Sequence, residues 1–162
     1  MCNTDRLSGA SGATCGGLFQ DYRDLVCGAF VHKLGLESTY FAEFFAVLLA
    51  VEIARAKGWL KIWFEMDSAL TLLLISSIKI IPPWQLRRQW ERCLRWLQGV
   101  EFRTSHIYRE GNVAAVILSN VALSYDDFTW RNYVIPYIKH VVLADSVKQI
   151  GYRHYKKKGL LR

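Results

Sequence analysis

Three acidic residues, Asp5, Glu43 and Asp67, stand where their carboxylates could act together. We expect Asp5 to end a first strand, Glu43 to lie one turn into the first helix, and Asp67 to stand where a later strand meets its helix. Functional sites of open α/β sheets cluster at strand ends. Carboxylates gathered there repel one another unless a cation such as Mg²⁺ neutralises them, and a pair of such ions about 4 Å apart can drive phosphodiester hydrolysis. Judged from spacing alone, three acids in an α/β domain are more often ordinary surface residues.

The elements that must position these acids follow from hydrophobic periodicity and turn residues. Two short apolar runs separated by polar residues 21–24 predict a hairpin. Apolar residues at helical spacing predict a long helix with Ser38 as its cap and Gly58 as its stop. In chain order after Asp5, we predict strands at 13–20 and 25–33, a helix at 38–57, a strand at 61–66, helices at 68–76 and 84–97, a strand at 100–108 and a helix at 113–123. This order predicts an α/β sheet with antiparallel strands first and crossover connections later.

Composition limits the size and class of the protein. With 162 residues and 52% hydrophobic content, the chain suits one domain and a tail. Glu43 and Glu52 interrupt the longest apolar stretch, and the N-terminus lacks a signal-peptide pattern, so we expect an intracellular protein without a membrane span. Cys2, Cys15, Cys27 and Cys93 are too scattered for a zinc site and are expected to be free thiols.

Positive charge is concentrated at the C-terminus. The net charge is +7, and residues 124–162 hold eight Lys and Arg against three Asp and Glu. We therefore predict a basic tail at 124–162, which either attracts nucleic acid or is merely solvated. The lysines at 156–158 are too short a run to assign a nuclear address.

Five strings, in order along the chain, resemble successive blocks of the ribonuclease H-like domain attached to plant non-LTR retroelement reverse transcriptases. They are Asn-Thr-Asp at 3–5, Cys-Gly-Gly-Leu-Phe-Gln-Asp at 15–21, Phe-Ala-Glu-Phe-Phe-Ala-Val at 41–47, Glu-Met-Asp-Ser at 65–68 and His-Ile-Tyr-Arg-Glu-Gly-Asn at 106–112. They place the domain at residues 1–123, and Phe-Thr-Trp at 128–130 resembles the segment that follows it.

The resemblance implies a five-stranded mixed sheet flanked by helices, and cleavage of the RNA of RNA–DNA hybrids with two Mg²⁺ ions. By the same resemblance, Asp5 is the first metal ligand and bridges both ions, Glu43 is the second, and Asp67 is the third.

The chain departs from the family pattern at its fourth carboxylate. The family block reads Asn, two residues, Ala-Asp, and this chain matches at Asn112 and Ala115 but has Val116 instead of the aspartate. Valine cannot ligate a metal, so we predict that hydrolysis is strongly impaired or absent. Glu110 is a candidate substitute ligand, with ordinary loop exposure as the alternative.

The start of the chain departs as well. Only residues 1–4 precede Asp5, so the first strand is expected to be truncated, with loss of hydrogen bonds to its neighbours. Arg6 stands where the family has glycine, and the turn after Asp5 is short. A bulky cation beside the first ligand is expected to disturb the metal geometry.

Nucleic-acid contacts are predicted on the helix at 84–97. Arg88, Arg92 and Arg95 line one face opposite an apolar stripe, where guanidinium groups suit phosphates, with Arg87 and Trp96 nearby. A solvated amphipathic face is the alternative. Asn3 and Thr4 are further candidate substrate contacts.

Two other motifs favour structural roles. Gly16 and Gly17 are expected to permit a tight strand, and His106, which alternates with apolar and polar neighbours on one strand face, is expected to be structural. Three hypotheses remain for the whole domain: an RNA–DNA hybrid ribonuclease, a non-catalytic nucleic-acid-binding module, and a retroelement relic. A monomer is expected.

Overall fold

The computed structural model describes residues 1–76, 81–132 and 139–140. The strands are β1 (Cys2–Gly9), β2 (Gly12–Gln20), β3 (Val26–Gly35), β4 (Lys61–Met66), β5 (Glu101–His106) and β6 (Thr129–Arg131). The helices are α1 (Thr39–Ala56), α2 (Ala69–Ser76), α3 (Arg87–Leu97) and α4 (Val113–Val121), with short 3-10 turns at Trp84–Leu86, Arg109–Gly111 and Ala122–Ser124. The predicted elements are all found, with boundaries shifted by a few residues.

These strands form one mixed sheet in the order β5-β4-β1-β2-β3-β6. Tight connections make β1, β2 and β3 antiparallel, whereas β4 pairs in parallel with both β1 and β5 after helical crossovers. The predicted arrangement of antiparallel strands first and crossovers later is therefore confirmed. Among the described residues the sheet has six strands where five were predicted, because β6 pairs with Ala29–Val31 on the other side of β3 from β2.

The first strand runs further than the sequence indicated. Asp5 was expected to end it, but β1 continues to Gly9, and every residue from Cys2 to Gly9 is paired with β2. The strand continues because the turn into β2 comes only at residues 9–12, where Gly12 has φ +105°. On its other side, β1 pairs with β4 only from Cys2 to Thr4, so Asp5 lies just beyond the end of β4.

Helices cover both faces of the sheet. α1 and α3 enclose the larger apolar cluster, which includes Phe44, Phe64 and Trp90, and α4 encloses a smaller one around Leu18 and Leu118. All nine residues of β2 are buried because helices lie on both of its faces.

α1 begins and ends where its sequence indicated. The Ser38 hydroxyl accepts a 3.1 Å hydrogen bond from the Phe41 backbone N–H, and Gly58, with φ +68°, follows the helix. These signals fix where Glu43 stands in the first turns of α1.

Gly16 allows α4 to lie directly against β2. A Cβ at this position would lie 2.7 Å from the Ser119 backbone nitrogen and 2.8 Å from the Leu118 carbonyl carbon. The predicted structural role of Gly16 is thus a close approach of a helix backbone to a strand.

The environment of His32 predicts that the stability of the fold depends on pH. Its ring lies near Phe45 of α1 and Phe128, its side chain is 19% exposed, and its Nδ1 is 3.7 Å from an Asp127 carboxylate oxygen. Burial lowers the pKa of His32 despite the opposing charge of Asp127. In this pH range the unfolded state therefore binds more protons than the folded state. The stability that neutral His32 contributes is fully present above the unfolded pKa of about 6.5, and it is lost as the pH falls from there towards the lower pKa of the folded state.

We therefore expect the melting temperature of the native chain to fall between pH 8 and pH 5, and to fall less in His32→Gln. Thermal melts across this range measure the difference. His140→Gln removes an exposed histidine and serves as the matched control. Parallel pH profiles for His32→Gln and the native chain would contradict the assignment.

Candidate functional site

The three predicted carboxylates meet in one cleft of about 280 Å³, located where β1 extends past the end of β4. Asp5 comes from β1, Glu43 from α1 and Asp67 from the residue after β4. The lining residues are Thr4, Asp5, Arg6, Glu43, Ala46, Met66, Asp67, Ser68, Thr71 and Arg109. The sequence therefore located the acids correctly relative to one another, and the cleft also contains two arginines.

Asp5 is 9% exposed and faces α4. The Ser119 hydroxyl donates a 2.7 Å hydrogen bond to its Oδ2. Burial raises the pKa of Asp5 and the nearby Asp67 charge raises it further, whereas the Ser119 hydrogen bond and the Arg109 charge act in the opposite direction. Asp5 and Asp67 are therefore close enough to repel each other, as expected of carboxylates at one site.

Glu43 is neutralised by a side chain of the protein itself. The Arg6 Nη2 lies 2.9 Å from Glu43 Oε1 and Arg6 Nε donates to the same oxygen at 3.0 Å. The Ser68 hydroxyl donates to Oε2 at 3.2 Å, so both oxygens of Glu43 have partners. The pair is only partly exposed, at 30% for Arg6 and 14% for Glu43, so solvent screens it less than a surface pair.

Asp67 is held near the cleft through its backbone. Its carbonyl oxygen lies 3.1 Å from His106 Nε2, which must carry the proton if it donates to a carbonyl. The His106 ring also packs edge-on against Tyr108. Contacts to backbone and to a neighbouring ring agree with the structural role predicted for His106.

α4 contacts the cleft residue Asp5 through the buried Ser119 hydroxyl, and neither Ser119 nor Val116 lines the cleft itself. Val116 is half-buried on α4, outside the lining of the cleft, and Ser119 follows one turn later. The Asn112 side chain donates a 2.9 Å hydrogen bond to the Thr4 carbonyl and fixes the start of α4 beside β1. Sequence reasoning missed Ser119, although its spacing of three from Val116 places the two on one helix face.

Glu110 does not replace the missing carboxylate in this arrangement. It is exposed in the 3-10 turn Arg109–Gly111 and does not line the cleft, whereas its neighbour Arg109 does. Glu110 is therefore an ordinary exposed loop residue, which was the alternative hypothesis for it.

The side chains present do not fit a pair of divalent ions. Glu43 is engaged by Arg6, and position 116 offers no oxygen. Within residues 1–76, 81–132 and 139–140, no cluster of three or more His, Cys, Asp or Glu side chains is arranged to hold a metal ion. The four cysteines are free, as predicted, with Cys27 exposed and the others buried.

The basic face of α3 is exposed. Arg88, Arg92 and Arg95 all point to solvent, while Leu86, Trp90, Cys93 and Leu97 are buried beneath them. Arg92 lies 4.0 Å from Glu52 of α1. These positions agree with the predicted amphipathic helix and leave guanidinium groups available.

The other residues predicted to contact nucleic acid differ in how exposed their side chains are. Asn3 is 2% exposed and its amide donates to Glu65. Thr4 lines the cleft but is only 4% exposed, so neither side chain lies on the outer surface. Trp96 is half-buried against the core, whereas Trp84, just before α3, is 80% exposed. The accessible indole beside the arginines is therefore that of Trp84, which the sequence pattern did not single out.

The described part of the chain has no helix that combines the length and the apolar character needed to cross a membrane. The predicted lysine cluster at 156–158 lies outside the described residues.

Comparison with known proteins identifies the fold. The chain is similar to RNase H1 from the archaeon Halobacterium salinarum, with 24% identity, a TM-score of 0.66, and coverage of 76% of this chain and 96% of that one. It is similar to LC11-RNase H1 in complex with RNA/DNA hybrid, with 19% identity, a TM-score of 0.65, and coverage of 76% and 95%. It is also similar to an N-terminal RNase H domain from Mycobacterium tuberculosis, with 18% identity, a TM-score of 0.66, and coverage of 76% and 91%.

No curated protein matches the chain closely enough to count as a relative. A family model described as reverse transcriptase-like matches residues 3–122. Since this match spans well over half of the sequence, the chain belongs to the reverse transcriptase-like family, and its α/β sheet has the RNase H fold.

Proposed function

We propose that this domain binds RNA–DNA hybrid or a related duplex, and that its capacity to hydrolyse the bound strand is strongly impaired. The observation that carries the proposal is the acidic cleft itself, in which Arg6 neutralises Glu43 and no carboxylate stands at position 116.

Binding is supported by the basic face of α3 and its position relative to the cleft. Trp90 of α3 packs edge-on against Phe44 with ring centroids 5.0 Å apart, and Phe44 is the neighbour of Glu43 on α1. The arginines thus stand on a helix that packs against the one carrying a cleft residue. A duplex that contacts the cleft with one strand can place other phosphates on this face, where backbone contacts dominate affinity. The solved complex of LC11-RNase H1 with RNA/DNA hybrid supports the choice of ligand.

Impaired hydrolysis follows from the charges in the cleft. Phosphodiester hydrolysis by paired divalent ions needs several anionic oxygens that are free to ligate. Here one of three carboxylates is paired with an arginine, and a fourth is absent. The polar cleft can still lie beside a phosphate backbone and position a bound strand. It lacks the free carboxylates needed to hold two Mg²⁺ ions.

The finer origin of the chain forms part of this proposal. The reverse transcriptase-like family supports descent from a retroelement, and the motif blocks favour the plant non-LTR class. We propose that residues 1–123 form the ancestral domain with a basic extension at 124–162, and that the protein is a monomer. Light scattering of the purified protein checks the oligomeric state.

Changing Arg88, Arg92 and Arg95 of α3 to glutamine is expected to weaken hybrid binding about thirtyfold and to lower the salt dependence of the binding constant by about three units of log–log slope. The reason is the loss of three phosphate contacts. Fluorescence anisotropy over a range of salt concentrations measures both quantities, with duplex DNA and single strands as competitors.

A matched control removes the same charge elsewhere. Arg23, Arg103 and Arg131 are exposed residues outside α3, and their triple change to glutamine should lower affinity far less. Equal losses in the two triple variants would show that only net charge matters and would contradict a binding face on α3.

The impairment is tested by incubating purified native protein with a labelled hybrid and Mg²⁺. We expect binding without cleavage. Cleavage by the native chain that disappears in Asp67→Asn would overturn the proposal in favour of an active ribonuclease.

The hypothesis of a relic that cannot fold is tested separately by a thermal melt of the same sample. A cooperative transition would exclude that hypothesis.

A further inference from the structure

The position of Arg6 affects more of the cleft than the availability of Glu43 as a metal ligand. Successive residues of a strand point to opposite faces, and β1 follows this rule: Asp5 faces Ser119 of α4, while Arg6 faces Glu43 of α1. The Arg6 side chain therefore lies between β1 and α1, where it pairs with Glu43 in the lining of the cleft.

The contact between Arg6 and Glu43 has a specific hydrogen-bonding geometry. Two different nitrogens of Arg6 lie 2.9 and 3.0 Å from the same Glu43 oxygen, and Ser68 fixes the other oxygen at 3.2 Å. Guanidinium groups form such geometrically specific pairs with carboxylates better than lysine does. Glu43 is thereby held by the fold without any ion.

The cleft is also close to electrical balance. Its lining contains three carboxylates, Asp5, Glu43 and Asp67, and two guanidinium groups, Arg6 and Arg109. A dication entering this space meets a carboxylate set that is already largely compensated. The affinity of carboxylate sites for divalent ions depends on how many ligand charges are free.

We propose that Arg6 is a built-in cation that replaces a divalent ion at this cleft, so that the native domain holds its acidic residues together without Mg²⁺ and binds divalent ions only weakly. The inference deepens the proposed function, because it gives the cause of impaired hydrolysis, but it concerns the protein without nucleic acid and can fail independently of duplex binding.

The test is a titration with Mn²⁺, followed by electron paramagnetic resonance and by thermal melts, in the absence of nucleic acid. The native chain is expected to show weak binding and little change in melting temperature. Arg6→Gln is expected to melt at a lower temperature, because Glu43 loses its partner, and to regain stability when Mn²⁺ is added. In the Val116→Asp background, Arg6→Gln should increase Mn²⁺ affinity about tenfold or more.

Two further variants separate charge from other effects. Arg6→Lys keeps the positive charge, so its Mn²⁺ affinity should stay close to that of the native chain even if its stability falls. Arg55→Gln removes an arginine that pairs with Glu52 outside the cleft, and should not change Mn²⁺ binding. Tight Mn²⁺ binding by the native chain, or equal affinities with Arg6 and with Gln at position 6, would overturn the proposal.

Discussion

Mg²⁺-dependent cleavage of an RNA–DNA hybrid is expected to appear when Arg6→Gln and Val116→Asp are combined, at a rate at least about a hundredfold above that of either single variant. Val116→Asp alone supplies the missing carboxylate but leaves Glu43 paired with Arg6. Arg6→Gln alone frees Glu43 but leaves the fourth position without an oxygen. Because each change corrects only one of two defects, the two effects should be strongly non-additive.

The assay is cleavage of a labelled hybrid, resolved on a denaturing gel, with and without Mg²⁺. The matched control is Arg6→Gln with Val116→Asn, which has nearly the same shape but no added charge and should not cleave. Adding Asp67→Asn to the active pair should abolish cleavage and excludes a contaminating nuclease. If Val116→Asp alone restores full activity, Arg6 is not part of the defect.

Gly16→Val is expected to destabilise the domain by about 3 kcal/mol, because overpacking a closed contact forces backbone shifts. A Cβ at Gly16 would lie 2.8 Å from Leu118 Cβ and nearer still to the Ser119 backbone nitrogen. These atoms belong to α4, so the helix must move away from β2. The same shift would draw Ser119 away from Asp5, whose Oδ2 it contacts at 2.7 Å.

Chemical denaturation measures the change in unfolding free energy, and thermal melts should show a drop of about 10 °C. Gly9→Val is the matched control, since Gly9 ends β1 in the same hairpin and a Cβ there meets nothing within 4 Å. A loss of stability in Gly9→Val as large as in Gly16→Val would mean that glycine in the strand, and not the contact with α4, is responsible.

Much of the fold could be predicted because local signals and tertiary packing agree. Ser38 and Gly58 mark α1 by capping chemistry, and both are used in the structure as expected. The end of β1 was placed too early, at Asp5, whereas the strand continues to Gly9. Only pairing with β2 keeps that part of the chain extended.

The site was predictable in its members but not in its internal contacts. The strand ends and helix turns that carry Asp5, Glu43 and Asp67 are local features, so their meeting at one cleft followed from topology. The partners of these acids come from distant parts of the chain: Arg6 reaches Glu43 across 37 residues and Ser119 reaches Asp5 across 114. Such pairs depend on how α1 and α4 lie on the sheet, which periodicity does not specify.

The sixth strand has a practical consequence for how the protein can be shortened. β6 covers the outer backbone of β3 from Ala29 to Val31, and Trp130 packs over Gly28 and near Phe19. A fragment cut after residue 123 would keep the acidic cleft but leave β3 as an open edge, with unsatisfied backbone groups and bared aromatic surface. Such a fragment is prone to self-association, so work with isolated pieces should retain the chain through at least Asn132.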